Sequence, residues 1–360
     1  MNIKPALKSA ITILETPATQ LRIGTRWRFY LLPQLWGGVR TKNIIELFNG
    51  ELSISDIAGR AGIELPMVES LVRELQHLNL VDLYRTPISY LRRYNSELGR
   101  IEEVSDTDEN RHDYAIEAFL NRMELECDAT TFHSGDLDGG RSAVLGRRNF
   151  SILIFGQGKI VNALLGLLSA SGFSKVVVIN RVGTKDPSIK ITEGDVAGGY
   201  VGRSDIGEPR RKILHDIRNS SQLFNEPKAE VQKPELIISV GHPAPDSIQR
   251  WMADNTPHLL VDVATSADVR IGPLVYPGKS PCYRCVQLSE NSALLSTKSP
   301  EVGSALSLSV ASAIALDAIA LADRARSIYL ATSYIHSSHH YHQPEIQHWS
   351  QHHACGCAWS

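Results

Sequence analysis

The chain has 360 residues, of which 42% are apolar, and this is enough to bury more than one core. Its formal net charge of −2 excludes a bulk electrostatic attraction to nucleic acid or to an anionic membrane. No apolar run reaches the roughly 18 residues of a spanning helix, and residues 1–20 lack the apolar core of a signal peptide. We therefore expect a cytoplasmic protein with no membrane partner.

Residues 1–89 predict a small first domain. The stretches "TQLRIG" and "TRWRFYLL" alternate in polarity and are rich in bulky side chains, which predicts two short strands. Three short helices are expected after them. "TKNIIELFNG" ends on glycine, "SISDIAGRAG" begins on serine and ends on glycine, and "LPMVESLVRELQHLNLVDL" has apolar residues at helical spacing. Strands followed by three small helices indicate a winged helix-turn-helix.

Residues 90–148 predict a polar connector, and residues 149–360 predict an α/β domain. In the α/β part, the apolar stretches "SILIFG", "KVVVIN", "PELIISVG" and "HLLVDVA" predict strands that alternate with helical segments. The stretch "VGSALSLSVASAIALDAIALADRA" predicts a long buried helix. The fold class is thus α/β, with a winged helix-turn-helix followed by a Rossmann-like domain.

A glycine turn follows the first strand of the α/β part. Gly156 and Gly158 match the first two glycines of a dinucleotide fingerprint, but Val161 stands where the third is usual. Such a turn lets backbone amides and a helix N-terminus face a phosphate. A plain structural turn between strand and helix explains the same residues equally well.

Five cysteines occur, and this odd number argues against a disulfide framework in a cytosolic chain. Four of them form two close pairs, Cys282 with Cys285 and Cys355 with Cys357. Four thiolates can close a tetrahedral shell around a structural zinc ion, with no open position for catalysis. His352 or His353 are alternative ligands, and free buried thiols are the plain alternative. Cys127 is expected to be an ordinary thiol.

The string "IGPLVYPGKSPCYRC", after an α/β half and before a terminal cysteine pair, resembles the ThiF/MoeB family of adenylating proteins over residues 149–360. The resemblance implies an ATP site that adenylates a carboxylate, and a zinc-binding C-terminal clasp. The residues that the family uses have changed at several positions. Asn180 replaces the aspartate expected at the ribose, and Gly241 replaces the aspartate expected at magnesium. Arg210 stands where a lysine contacts phosphate.

The family's arginine-glutamine pair falls on Ala197 and Gly198. A site without these acids has no evident magnesium ligand, and adenylyl transfer depends on metal and cationic stabilisation. Gly156, Gly158, Asn180, Arg210 and Gly241 are therefore expected to form a degenerate nucleotide site that binds neither ATP nor magnesium.

A winged helix-turn-helix ahead of such a degenerate domain resembles the ocin-ThiF-like proteins, or cyclodehydratase partner proteins, of azoline-forming peptide biosynthesis. The resemblance implies that the first domain is a recognition element that binds the leader of a ribosomally made precursor peptide as an added strand. It also implies that a separate YcaO-type cyclodehydratase forms rings from Cys, Ser or Thr. A flavin dehydrogenase in the same complex and a homodimer are further implied partners.

If the leader pairs along "RWRFYL" and lies against the third helix, two groups of residues are expected to bind it. Arg26, Arg28 and Tyr30 would supply charge and hydrogen bonds. Met67, Leu71 and Arg73 would line the groove on the helix. For Leu71 the alternative is a core position, and for the two strand arginines it is plain solvation.

Two other functions remain open on the sequence. One is an active ThiF/MoeB-type enzyme that adenylates a peptide carboxylate. The other is a DNA-binding regulator, because residues 1–100 contain 13 Lys and Arg against 9 Asp and Glu, a net +4. The third helix nevertheless carries Glu69 and Glu74 beside Arg73, a pattern that would repel phosphate in a major groove. We therefore expect no nucleic-acid partner.

Overall fold

The computed structural model describes residues 3–16, 20–84, 109–132, 137–179, 189–197, 199–222, 233–241, 243–290, 301–340 and 342–357, with side chains from residue 116 in the helix that begins at 109. The chain divides into two compact units, Met1–Gly146 and Arg147–Ser360.

Unit 1 combines short antiparallel strands with helices. Its strands are β1 (Ala6–Leu7), β2 (Thr12–Glu15), β3 (Gln20–Gly24), β4 (Phe29–Pro33), β5 (Leu35–Trp36), β6 (Val39–Arg40) and β7 (Val81–Asp82). Its helices are α1 (Thr41–Ile45), α2 (Ile54–Ala61), α3 (Leu65–His77), α4 (Glu109–Arg122), α5 (Glu124–Thr130) and α6 (Arg141–Asn149), the last of which continues across the boundary. Strands β2, β3 and β4 form one antiparallel sheet in that order, so β4 lies at an edge.

Local sequence explains the helices of unit 1. Ser53 and Asp56 form a capping box at the start of α2, and Gly62 ends that helix with a φ of 68°. Helix α3 has a proline in its first turn and buries one apolar face. These helices and the paired strands β3 and β4 were predicted correctly. Their assignment to a winged helix-turn-helix stays a prediction.

Unit 2 is built on one seven-stranded sheet with the order β14–β13–β12–β11–β10–β8–β9. The strands are β8 (Ser151–Phe155), β9 (Lys175–Ile179), β10 (Leu236–Val240), β11 (His258–Val263), β12 (Asp268–Val275), β13 (Thr332–Ser337) and β14 (Glu345–His348). The pairs among β9, β8, β10 and β11 are parallel, and the remaining pairs are antiparallel. The α/β class is therefore confirmed.

Helices cover this sheet. They are α7 (Lys159–Ala170), α8 (Arg210–Ser221), α9 (Pro245–Ala253), α10 (Tyr283–Ser289) and α11 (Ser304–Ala322), with short 3₁₀ turns at Glu193–Asp195 and Arg203–Asp205. Among the described helices, α11 is long and apolar enough to cross a membrane by length and composition, which corrects the expectation that no stretch meets this criterion. Its residues Leu306, Val310 and Ile314 lie in the core of unit 2, and core helices meet the same criterion.

Candidate functional site

The sheet of unit 2 reverses its strand order between β8 and β10. The chain leaves β8 towards β9 on one side and returns to β10 on the other, and ligands of open α/β sheets bind at such a point, beyond the carboxyl ends of the strands. Gly156 follows β8 and Gly241 follows β10. Both have a positive φ, 136° and 90° respectively. The position at which the family resemblance implies an acid for magnesium is occupied by Gly241, which has no side chain.

The glycine turn leads into α7 as predicted. Gly158 is the N-cap of α7, with a φ of 96° and open space where a Cβ would stand. Val161 is fully buried, so the third fingerprint position serves packing. Asn162 is also buried, and neither of its amide atoms has a hydrogen-bond partner within the described part of the chain. The turn thus has a positive-φ glycine at both fingerprint positions, while Val161 and Asn162 after it face the interior.

Arg210 does not offer its charge to a ligand. Its guanidinium is buried and donates two hydrogen bonds to the carboxylate of Asp195, at 2.7 and 2.6 Å. Burial opposes the ionisation of Asp195, but hydrogen bonds from Arg210 and Thr192 and the guanidinium charge outweigh it and lower the pKa of Asp195. Arg210 was expected in a degenerate nucleotide site, and its charge is neutralised within unit 2 by the ion pair with Asp195.

Of the three remaining residues expected at the nucleotide site, the structure describes Ala197. Asn180 and Gly198 lie outside the described residues, directly after β9 and within the loop ahead of α8. Ala197 is buried and forms an isolated antiparallel bridge with Val201. A methyl side chain in that bridge offers no group for a phosphate.

A small cavity of about 20 Å³ lies beside Gly241 and is lined by both strand and helix residues. Arg270 of β12 reaches it and pairs with Asp262 at 3.2 Å and with Glu290. Tyr283 of α10 lines the same cavity, and burial raises the pKa of its hydroxyl. The water-accessible part of this cavity has room for about one water molecule.

The four paired cysteines meet in unit 2. Their Sγ atoms lie within 4.8 Å of one another, with Cys282 3.8 Å from Cys285 and 3.4 Å from Cys355, and Cys285 3.4 Å from Cys357. Zinc–sulfur bonds of 2.3 Å in a tetrahedron place sulfur atoms about 3.8 Å apart. The cluster is therefore compatible with zinc.

The surroundings of the sulfur atoms shift the pKa values of three of the thiols in different directions. Burial raises the pKa of Cys282 and raises that of Cys357 to about 11. The His352 backbone N–H donates to Cys285 Sγ at 3.3 Å, the type of hydrogen bond that stabilises a thiolate. The His352 ring instead accepts from the Ala354 N–H and stacks on His353 at 4.4 Å. The metal-ligand group found among the described residues contains the four cysteines and neither histidine.

The expected peptide-binding residues of unit 1 are distributed over three places. Arg26 and Arg28 are exposed in the tight turn between β3 and β4, and Tyr30 lies exposed on β4. Met67 is half-buried on α3, where its carbonyl accepts a hydrogen bond from the Trp36 indole at 2.8 Å.

Leu71 and Arg73 lie on different faces of α3, one buried and one exposed. Leu71 is fully buried in the core of unit 1, which corrects its assignment to a peptide groove. Arg73 is exposed on the same helix. Of the two, only Arg73 is accessible to a peptide.

Edge strand β4 carries apolar side chains that the sequence reasoning did not single out. Phe29 and Leu31 are 47% and 52% exposed, and Trp27 in the preceding turn is 82% exposed. Natural proteins usually protect an edge of this kind with charge, proline or a covering element, because its free backbone groups pair with other chains. The signal was present in "RWRFYLL", where four bulky residues, Phe29 to Leu32, follow Arg28 without the polar alternation of a half-buried strand.

No family model and no curated protein matches the sequence. Solved structures match over its whole length. Escherichia coli MccB with ATP is 14% identical, with a TM-score of 0.63 over 98% of this chain and 99% of that one. The microcin C7 biosynthetic enzyme MccB in complex with N-formylated MccA is 15% identical, with a TM-score of 0.64 over 98% and 99%. PaaA is 10% identical, with a TM-score of 0.62 over 96% and 100%. The chain therefore has the ThiF/MoeB-like fold of MccB.

Proposed function

We propose that the chain binds the leader of a ribosomally made precursor peptide at strand β4 and presents that peptide to a partner YcaO-type cyclodehydratase. The observation that carries the proposal is the apolar edge of β4, which pairs with no further strand among the residues that the structure describes. A peptide that adds itself as a fourth strand would satisfy the exposed backbone groups and cover Phe29 and Leu31. In this proposal residues 1–89 form the leader-binding winged helix-turn-helix, and residues 149–360 form the scaffold.

The state of the nucleotide site supports a scaffold without its own catalyst. Gly241 offers no carboxylate for magnesium, and Arg210 is committed to Asp195. Stabilising a transferred adenylyl group requires cationic groups and metal ions at the phosphates. The cysteine cluster would hold zinc as a structural clasp between two distant segments of unit 2.

The neighbouring structures agree with a peptide ligand, because MccB has been solved with MccA. The proposal extends to partners that act on the same peptide, namely the cyclodehydratase and a flavin dehydrogenase that oxidises the rings. It also includes a homodimer, and it locates the complex in the cytoplasm, where ribosomal precursors are made.

The test begins with a search of the DNA beside the gene for this chain for short reading frames rich in Cys, Ser and Thr, and their peptides are synthesised. Each is labelled with a fluorophore, and its binding is followed by fluorescence anisotropy with the wild type and Arg28→Glu. Arg60→Glu is the matched control, because Arg60 is equally exposed but lies on α2. The expected result is weaker binding by Arg28→Glu alone.

The second stage adds a YcaO protein encoded in the same gene cluster, together with Mg-ATP, and follows the loss of one water per ring by mass spectrometry; a cluster without such a gene would itself count against the presenting role. Ring formation should be faster with this chain than without it. Equal rates in its absence would refute the presenting role.

A second candidate is an enzyme that adenylates a peptide carboxylate. The observation that favours it is the intact turn at Gly156 and Gly158, which aims the N-terminus of α7 at the crevice, in a fold that MccB shares and that has been solved with ATP. Calorimetry of the purified chain with Mg-ATP separates the candidates. Absence of binding supports the scaffold, whereas micromolar binding and release of pyrophosphate with peptide support the enzyme.

A further inference from the structure

The hydrogen bonds around the β3–β4 hairpin determine which backbone groups of β4 are free. The Thr25 N–H donates to the Arg28 carbonyl at 2.8 Å, which marks this pair as hydrogen-bonded. Because bonded and non-bonded pairs alternate along an antiparallel ladder, Tyr30 and Leu32 are bonded to β3. Phe29 and Leu31 therefore direct their N–H and carbonyl groups to the outer side of β4.

Two observations agree with this alternation. On the other side of β3, the Thr16 N–H donates to the Gln20 carbonyl at 3.0 Å, as expected if even-numbered residues of β3 face β2. At the end of β4, the outward Pro33 carbonyl accepts a hydrogen bond from the Thr41 hydroxyl at 2.6 Å. Pro33 has no N–H, so this end of the edge is closed. The open part of the edge offers two donors and two acceptors, at Phe29 and Leu31.

The face on which Phe29 and Leu31 lie is apolar and exposed. Register pairs Leu31 with Arg22 and Arg22 with Leu14, so these side chains share one face of the sheet, and the Arg22 guanidinium lies 3.7 Å from the centre of the Phe29 ring. Leu14 is exposed on the same face. The opposite face contributes Leu21, Ile23 and Leu32 to the core.

The charge around this face has one sign. Arg22, Arg26 and Arg28 all belong to the hairpin, and none has a carboxylate partner in the part of the chain that the structure describes. Arg26 lies over the exposed Trp27 ring at 5.0 Å. An acidic residue of a bound peptide would meet the Arg22 guanidinium on this face, with Arg26 and Arg28 in the turn at the end of the hairpin.

We infer that the docked peptide is an acidic strand with apolar residues at alternate positions, and that its sequence is recognised by the outer face of the β2–β3–β4 sheet. This inference rests on the proposed docking at β4 and names the peptide class. A residue opposite Phe29 or Leu31 has its side chain on their face. Two apolar residues of the peptide, at positions i and i+2, extend the apolar face of the sheet. A carboxylate of the peptide beside them pairs with the arginines of the hairpin. The groove along α3 contributes less, because Leu71 is buried.

The test selects binders from a phage-displayed library of random peptides on the full-length protein. Enriched peptides should carry apolar residues at positions i and i+2 with an adjacent aspartate or glutamate. One enriched peptide is then synthesised, and its affinity is measured for four variants of known thermal stability. Leu31→Pro removes an outward N–H without breaking the β3 ladder, and Leu31→Val is its control. Leu31→Ser removes the outer-face side chain, and Met67→Ser removes the side chain on α3.

We expect Leu31→Pro to weaken binding at least about tenfold and Leu31→Val to bind like the wild type. Leu31→Ser should weaken binding about tenfold, and Met67→Ser much less. Unchanged affinity of Leu31→Pro would overturn docking at β4 itself. Loss with Leu31→Pro and Met67→Ser but not with Leu31→Ser would leave docking intact and overturn recognition by the outer face. Enriched peptides without acidic residues would overturn the charge requirement.

Discussion

Removal of the C-terminal cysteine pair tests the zinc clasp. Cys355 and Cys357 are only half-buried, so Cys355→Ser with Cys357→Ser introduces little desolvation cost of its own. The sulfur contacts join residues that are 72 and 73 positions apart. Cross-linking a loop of this length restricts the unfolded chain by about 4 kcal/mol in the chain-entropy model. For a unit of this size, that corresponds to a fall in Tm of about 8 to 16 °C.

The assay combines metal content with calorimetry. Wild-type protein purified without chelator should contain one zinc per chain by mass spectrometry, and the double variant should contain none. Chelator should lower the Tm of the wild type to that of the variant. His353→Ala is the matched control, since it removes an exposed ring next to the cluster and should keep the metal. A wild type that is free of metal, or equally stable with and without chelator, would refute the clasp.

Three other predictions concern buried charge and the lost catalyst. Asp195→Asn should lower the free energy of unfolding by about 3–5 kcal/mol, because Arg210 is left buried without its counter-charge, and denaturant titration checks this. In the wild type, the depressed pKa of Asp195 makes its contribution complete above about pH 3.9 and lost as the pH falls through the lower folded value. Burial lowers the pKa of His258 to about 4, so the unfolded chain takes up a proton near pH 6.5 before the folded chain does. Stability should therefore fall by about 3 kcal/mol between those pH values, and His258→Gln should flatten that slope in an acid titration. Gly241→Asp should not create magnesium-dependent ATPase activity, because Arg210 remains paired, and a steady release of phosphate would contradict this.

The strands and helices of unit 2 were predictable because buried parallel strands leave continuous apolar runs. "SILIFG" and "KVVVIN" became β8 and β9, and the helix between them begins at Lys159 as expected. The meeting of the two cysteine pairs was also foreseeable, since two pairs of closely spaced cysteines are typical of a shared zinc site.

Apolar runs in the sequence do not predict which single side chains are buried or which ion pairs they form. Arg210 was assigned by its position after "DIG", but its role depends on Asp195, which a 3₁₀ turn brings within hydrogen-bond distance. Leu71 has the same helical spacing as its neighbours, and spacing alone does not decide which residue borders a groove. The free edge of β4 depends on strand order and hydrogen-bond alternation, which are properties of the folded sheet.

Gly156 shows that strand packing alone can require a fingerprint glycine. A Cβ at this position would lie 2.7 Å from the Val240 carbonyl oxygen, a separation that real Cβ atoms do not adopt. Any larger residue would therefore push β8 and β10 apart, whether or not a nucleotide binds nearby. Selection for folding alone preserves this glycine. In proteins of this fold, an intact glycine turn consequently reports the spacing of two strands, and nucleotide chemistry has to be inferred from the acids and cations around the crevice.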